Sequence, residues 1–391
     1  MLGAGVFAVF APAAASAGSG LLLALGIAGF VAYCNAAASA QLAAVHPESG
    51  GTYVYGCKRL GPWWGFTAGW GFVIGKTASC AAMAMTFAAY VLPGYEKPAA
   101  VAAILLLAAV NYRGVTKTAL LSRILLAIVL AALVIVIALS FMDDTGDGPG
   151  VGGNWLGGGI LGVLRAAGLL FFAFAGYARI ATMGEEVRNP TRTIPRAILT
   201  ALASALIVYL LVGVALLLVL GPDRLAHSSA PLVDALSAAG HGNLRAVATV
   251  GAAAASLGAL LALIAGIGRT TLAMARNHDL PGWLAAVHPR FQVPHRAELV
   301  LAVLVAGLVL IADLRNVIGF SSFGVLVYYA IANASAFTQP PADRRWPRWL
   351  NVAGFAGCLL LAGTLPVAAV LTGLGVFAVG LLGRLIARGR H

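Results

Sequence analysis

Long apolar runs alternate with short polar or basic segments along the whole chain. A helix needs about 20 mostly apolar residues to cross the hydrocarbon core of a membrane. The pattern therefore predicts about twelve membrane-spanning helices, the first within residues 1–18. The other predicted spans are residues 20–45, 63–92, 99–111, 124–141, 156–183, 194–220, 244–274, 297–312, 317–337, 349–362 and 365–386.

The composition agrees with this pattern. The 391 residues are 61% hydrophobic and only 10% charged, whereas soluble domains carry about 25% charged residues. A soluble core could not take up so much apolar sequence, so we predict an all-α membrane protein. Its four cysteines are scattered, without the spacing of a metal site or a disulfide framework, so we expect no metal and no cofactor.

The net charge of +12 could indicate nucleic-acid binding, but the basic residues lie in short loops between apolar runs. Alternate loops carry most of them, including Lys58 and Arg59, and residues 384–390 continue that set. The opposite loops include the acidic segment at residues 143–147. This bias predicts a cell-membrane protein whose basic loops and C-terminus are cytoplasmic, with the lipid bilayer rather than nucleic acid as its partner.

One stretch changes character partway, residues 169–196 with the sequence LLFFAFAGYARIATMGEEVRNPTRTIPR. It begins as a continuous apolar run, reaches Gly176, and leaves the apolar phase at Gly184. We predict a membrane helix broken near its middle. Unwound backbone inside lipid needs partners, and broken helices that line a cavity are how transporters hold substrate.

The same stretch resembles the sixth-helix signature of the amino acid-polyamine-organocation permeases. The resemblance extends to Gly3-Ala4-Gly5-Val6-Phe7, similar to the Gly-x-Gly break of the family's first helix, and to residues 276–281 after the eighth span. It implies a LeuT-like inverted repeat of five plus five helices with two additional C-terminal helices. The expected divisions are residues 1–142, 156–337 and 349–387. Only two residues precede Gly3, so we expect a truncated first helix or a misassigned start.

Two groups of backbone positions are the predicted substrate site. At the first break, glycines let the helix start expose N–H groups that attract a carboxylate. At the second, freed carbonyls can accept a substrate amine, and an aromatic residue could act as a gate. The alternative for both groups is ordinary helix packing. These candidates are Gly3, Ala4, Gly5 and Val6, with Phe174, Ala175, Gly176 and Tyr177.

Lys76 lies deep inside the predicted span of residues 63–92. A lysine there costs about 2.5–3.5 kcal/mol on insertion scales, so it is expected to face a cavity, where it can exchange a proton. Some proton-coupled members of the resembling family keep a lysine in the fifth span, where this chain has Val129. Lys76 is therefore the candidate coupling residue. The alternative is a structural bond to a carbonyl of the broken helix.

Charged residues near the predicted basic ends of two spans could form a gate. The equal alternative is that they are solvated loop charges, since an exposed ion pair contributes only about 0–1 kcal/mol. The candidates are Arg179, Glu185, Glu186 and Arg276.

These observations predict a secondary active amino acid transporter rather than an enzyme. No acidic residue lies in the middle of a span, which favours neutral substrates, and residues 259–268 lack the hydroxyls of a sodium site. Proton coupling or exchange is therefore expected. The alternatives are an amino acid/polyamine antiporter and a truncated, non-transporting paralogue or sensor. The pattern makes no prediction about oligomeric state.

Overall fold

A computed structural model describes residues 3–46, 48, 50–114, 118–142, 156–177 and 189–388. Within these residues the regular elements are helices, joined by short 3₁₀ turns. The α-helices are α1 Gly5–Ala8, α2 Phe10–Ala17, α3 Leu21–Val45, α4 Thr52–Arg59, α5 Pro62–Val91, α6 Glu96–Tyr112, α7 Thr118–Met142, α8 Gly159–Phe174, α9 Pro190–His227, α10 Pro231–Ala238, α11 Arg245–Arg276, α12 His295–Ile311, α13 Leu314–Phe337, α14 Arg348–Thr364 and α15 Val367–Arg388.

The prediction of an all-α membrane protein is confirmed. In the described part of the chain, seven helical segments are long and apolar enough to cross a membrane. They include α5, α7, α9, α11, α13 and α15, and the seventh joins α2 to α3 through the 3₁₀ turn Gly18–Gly20. Helices α6, α8, α12 and α14 are 16 or 17 residues long. At 1.5 Å per residue each reaches about 25 Å, and each lies within or around a predicted span.

Two predicted loops are partly helical, which corrects their boundaries. The segment 46–60 contains α4, which starts after Gly51 (φ 56°) and buries the side chains of Tyr53 and Tyr55. The loop predicted from residue 221 begins seven residues later, at Ser228, because α9 continues through a kink at Gly221 (φ 69°) to His227. The hydrophobic pattern did not predict α4, because this short segment is largely polar and only its two tyrosines are large buried residues.

Close helix contacts through glycine organise the centre of the protein. A Cβ on Gly71 would lie 2.9 Å from the Gly324 carbonyl oxygen, and a Cβ on Gly324 would lie 2.9 Å from the Gly71 oxygen. Helices α5 and α13 therefore cross almost backbone to backbone. Since lipid tails are as apolar as leucine, such close packing is a main source of helix association in membranes.

Helices α1 and α2 act as one helix. The Val9 N–H donates to the Gly5 oxygen at 3.0 Å, and the Ala13 N–H donates to the Val9 oxygen at 3.1 Å, so the hydrogen-bond ladder passes through Val9. The helix therefore begins at Gly5 and runs to Ala17, with Gly3 and Ala4 in a turn before it.

Several loops meet at one end of the molecule, which we call the basic end. It comprises α4 with Lys58 and Arg59, the segment after α11, and the segment after α13. Contacts between these parts define it, because Tyr53 donates to Asp279 and Arg59 donates to the Thr338 carbonyl. The start of α5 and the last turns of α15 reach the same end.

Candidate functional site

The α-helical geometry of α8 ends at Phe174, two residues before Gly176. Residues Ala175–Tyr177 form a 3₁₀ turn, in which the Ala175 N–H donates to the Phe172 oxygen. Such a turn tightens the helix and leaves carbonyl oxygens without their usual partners four residues on. The α-helix therefore ends at the position where the sequence predicts a break.

Side chains from other helices bind the carbonyls at this break. Tyr209 on α9 donates its hydroxyl to the Ala173 oxygen at 2.9 Å. Lys76 on α5 donates its Nζ to the Ala175 oxygen, also at 2.9 Å. Because unpaired backbone groups cost several kcal/mol away from water, these two bonds allow the helix to stop inside the protein.

The start of α1 lies directly against the break. A Cβ on Gly5 would lie 2.7 Å from Cα and 2.8 Å from Cβ of Ala173, closer than real Cβ contacts come. A Cβ on Gly3 would lie 3.3 Å from Cβ of Ala259 on α11. Glycine at position 5 therefore lets the start of α1 touch the last turn of α8.

A cavity of about 300 Å³ opens beside this junction, between α5, α7, α8 and α11. Most of its walls are apolar, and α11 contributes only small residues and one leucine. The described lining residues are Gly3, Gly5, Phe72, Lys76, Ser79, Met83, Leu125, Leu126, Val129, Phe172, Ala173, Ala175, Gly176, Ala254, Ala255, Gly258, Ala259, Ala262, Leu263 and Gly266.

Lys76 is the charged side chain among the described lining residues. It is 5% exposed, and the Ala175 oxygen is its hydrogen-bond acceptor in the described part of the chain. An ammonium has three N–H donors, so one bond leaves it capacity for a ligand. Ser79, one turn along α5, shares a hydrogen bond of 2.7 Å with Ser321.

The predicted site residues fall into distinct groups. Gly3, Gly5, Ala175, Gly176 and Lys76 line the cavity. The remaining candidates that the structure describes do not: Ala4 and Val6 are buried beside it, Phe174 stacks edge-on against Tyr209 at 5.1 Å, and Arg276 is exposed in the last turn of α11. For Tyr177 only the backbone is described, and Arg179, Glu185 and Glu186 lie outside the described residues.

Sequence reasoning missed two residues at the site and one buried acid outside it. Tyr209 stands in an apolar run of α9, where an aromatic residue ordinarily indicates packing. Val129, identified only as replacing a family lysine, lines the same cavity as Lys76. The buried acid Glu298 was also missed; it is 3% exposed in the first turn of α12, outside the cavity lining. No local motif signals these positions, because each depends on which face of a helix turns inward.

Comparisons with known proteins identify the family of this chain. A sequence model described as amino acid permease matches residues 1–379. An uncharacterized transporter of Mycobacterium tuberculosis (strain ATCC 25618 / H37Rv) is 57% identical over 380 residues, covering 97% of this chain and 86% of the relative.

Two more distant relatives carry substrate names. Cationic amino acid transporter 7, chloroplastic, of Arabidopsis thaliana is 28% identical over 368 residues, covering 87% of this chain and 63% of that protein. The methylthioribose transporter of Bacillus subtilis (strain 168) is 27% identical over 357 residues, covering 85% of this chain and 76% of that protein. Because these two names differ, the substrate has to be argued from the cavity.

Proposed function

This chain belongs to the amino acid permease family and is a multi-pass membrane transporter, and from that premise we propose that it carries neutral amino acids by alternating access around its two interrupted helices. One observation supports this most directly. The start of α1 and the end of α8 meet at a cavity that contains a single described charge, Lys76.

The backbone at the junction suits the two ends of a zwitterion. Free N–H groups at the start of α1 carry the positive end of a helix dipole and would attract the substrate carboxylate. Carbonyl oxygens of residues 173–176 would accept from the substrate ammonium. Ala173 and Ala175 already each accept one bond, but a carbonyl oxygen has two lone pairs, so these contacts do not exclude the substrate.

The residues that line the cavity favour a substrate with an uncharged side chain. Leu125, Leu126, Val129 and Met83 give the cavity an apolar surface, and the small residues of α11 leave room beside them. An arginine or lysine substrate would bring a second positive charge into a low-dielectric space that already holds Lys76. At a few ångströms such a like-charge pair is strongly repulsive, so cationic amino acids and polyamines are disfavoured.

Lys76 is the proposed coupling residue. Its bond to the Ala175 oxygen joins a titratable group to the end of α8, so gain or loss of its proton would strengthen or weaken that hydrogen bond. It lines the same cavity as Val129, the position at which some related proton-coupled proteins keep a lysine. We propose that a proton moves with the substrate, with exchange as the alternative coupling mode.

The proposal includes an orientation and an internal symmetry. Basic loops are placed in the cytoplasm together with the C-terminus, in the cell membrane. Residues 1–142 and 156–337 would be the inverted repeats, and 349–387 the additional pair. This arrangement puts the two breaks at equivalent positions of the repeats, as expected for alternating access.

Uptake into proteoliposomes tests the proposal. We expect labelled leucine to accumulate under an inward proton gradient, and arginine not to accumulate. The Lys76→Met variant should retain leucine counterflow but lose gradient-driven accumulation. Lys97→Met is the matched control, because Lys97 also bonds a backbone carbonyl, the Leu310 oxygen at 2.8 Å, but on the exposed surface.

Each outcome has a definite meaning. Preferred uptake of arginine would overturn the assignment to neutral substrates. Accumulation by Lys76→Met equal to that of the wild type would remove Lys76 as the coupling residue. Absence of counterflow for every amino acid tried would favour the non-transporting alternative.

A further inference from the structure

A second buried cation lies far from the cavity, at the basic end. Arg384 on α15 is 3% exposed and donates to the Pro62 carbonyl oxygen and to Oδ1 of Asp279, each at 2.6 Å. Its guanidinium also lies 4.7 Å from the ring centroids of both Trp63 and Phe66. Planar guanidinium groups suit such combined stacking and charge-assisted bonding.

The backbone after α11 aims Asp279 at this arginine. His278 adopts a left-handed conformation (φ 59°), and its N–H donates to the Ala275 oxygen. The Asp279 N–H then donates to the Met274 oxygen at 2.9 Å. These two bonds form a Schellman motif, which fixes the direction in which the chain leaves the helix. The carboxylate is therefore positioned by the end of α11 and not by a free loop.

A third element completes the network. Tyr53 on α4 donates its hydroxyl to Oδ2 of Asp279 at 2.8 Å and accepts from Nδ2 of Asn277 at 2.9 Å. Burial raises the pKa of the Tyr53 hydroxyl, so it remains protonated and keeps donating to the carboxylate. The Asp279 carboxylate thus holds an arginine on one oxygen and a tyrosine on the other.

The network surrounds a crossing of two cavity helices. A Cβ on Gly69 of α5 would lie 2.8 Å from Sδ of Met274 on α11 and 2.8 Å from the Tyr53 ring. Helix α5 carries Lys76, and α11 supplies the facing wall of small residues. Along α5, Trp70 adds a hydrogen bond of 3.0 Å to the Val376 oxygen of α15. Helix α15 is therefore attached to α5 at two levels.

We propose that Arg384 and Asp279 are positioning residues for transport, by which α15 fixes the spacing of α5 and α11 and so the width of the substrate cavity. This proposal rests on the proposed function. It assigns a role to the last helix, which stands outside the expected repeats. Removing one partner leaves the other buried without its counter-charge, whereas removing both charges together avoids that penalty.

Leucine counterflow in proteoliposomes tests the proposal through a double-mutant cycle. Arg384→Met and Asp279→Asn should each raise the leucine KM roughly tenfold with little change in maximal rate, because displaced cavity walls weaken binding. The double variant should recover most of the loss, since coupled partners are not additive. Lys58→Met is the matched control, as its ion pair with Glu48 is exposed at the same end, and it should leave KM unchanged.

A distance measurement without substrate separates this proposal from the proposed function. Spin labels are attached to Trp64→Cys and Arg276→Cys, both exposed positions, in a background without the native cysteines. Double electron–electron resonance between the labels then measures the spacing of α5 and α11. Arg384→Met should broaden or shift the distance distribution. If Arg384→Met changes the distance distribution but the wild-type protein does not transport leucine, the positioning role of Arg384 and Asp279 is supported and the proposed function is rejected.

Two results would overturn the positioning role itself. One is a distance distribution in Arg384→Met that matches that of the control Lys58→Met, in which the Arg384–Asp279 pair is intact. The other is a lowered melting temperature in Arg384→Met with wild-type KM, which would give Arg384 a structural role only.

Discussion

Lys76 and Arg384 are the two buried basic side chains in the described part of the chain, and their surroundings differ completely. Arg384 meets a carboxylate, a carbonyl and two aromatic rings, so its charge is compensated at a fixed place. Lys76 meets one carbonyl and faces a cavity with no described acidic lining residue. A compensated cation holds helices in position, whereas an incompletely compensated one is available to a ligand and to a proton.

The cost of burial supports the same distinction. Insertion scales give about 2.5–3.5 kcal/mol for a basic residue at the centre of a membrane helix. Arg384 offsets this cost with direct partners near a helix end. Lys76 has one direct partner in the described part of the chain, the Ala175 carbonyl, which is compatible with the proposed coupling role.

The largest expected effect concerns the junction beside Lys76. Gly5→Val should abolish leucine counterflow, because the added side chain would meet the Ala173 backbone at less than van der Waals distance and must displace α1 or α8. Gly26→Val is a suitable control, since its Cβ would meet nothing within 4 Å. Counterflow near the wild-type level in Gly5→Val would show that the two interrupted helices need not touch.

Charge-preserving exchanges at the two cations give the next effect. Lys76→Arg keeps the positive charge but cannot release its proton at any working pH. We expect it to lose accumulation driven by a proton gradient. Accumulation equal to that of the wild type would show that titration of residue 76 has no part in coupling.

Arg384→Lys should have a smaller effect. A lysine keeps the charge beside Asp279 but cannot reproduce the planar stacking between Trp63 and Phe66 together with two directed bonds. We expect a loss of roughly 1.5–3 kcal/mol of stability, the range for hydrogen bonds to charged groups. Thermal unfolding in detergent measures it, and an unchanged melting temperature would contradict the importance assigned to this geometry.

The smallest effect is expected for Tyr209→Phe. The variant removes the hydroxyl that bonds the Ala173 oxygen but keeps the ring against Phe174. Hydrogen bonds between membrane helices contribute on average about 0.6 kcal/mol, so the melting temperature should fall only slightly. Gradient-driven accumulation should persist, because Lys76 is untouched; its complete loss would place Tyr209 in the coupling machinery.

The sequence predicts one side of this comparison better than the other. The apolar run ending at Gly176 and the isolated Lys76 are local signals, and both residues line the cavity. From the sequence, Arg384 is only one more basic residue near the end of the last span. Its pairing with Asp279 could not be predicted, because the two residues lie 105 positions apart. The helix α4 and the Schellman turn at His278 are similarly invisible to hydrophobic periodicity, since they depend on tertiary contacts of polar segments.

The two interpretations given for Lys76 from the sequence are compatible. A structural bond to a carbonyl of the broken helix was one alternative, and Lys76 forms that bond to Ala175. The coupling role remains a proposal and uses the same contact, because a change in the protonation of Lys76 would alter its bond to the end of α8. Which wall residues face the substrate could not be predicted, since that depends on the rotation of α7 and α11.

Equilibrium binding of leucine across the titration range of an ammonium group tests the central claim most directly. If protonated Lys76 holds the break through its bond to the Ala175 oxygen, wild-type affinity should fall as the pH rises, and Lys97→Met should behave in the same way. Lys76→Met should bind more weakly, and its affinity should vary less with pH than that of the wild type, because only the ammonium of leucine itself still titrates. A pH dependence in Lys76→Met equal to that of the wild type would contradict the account.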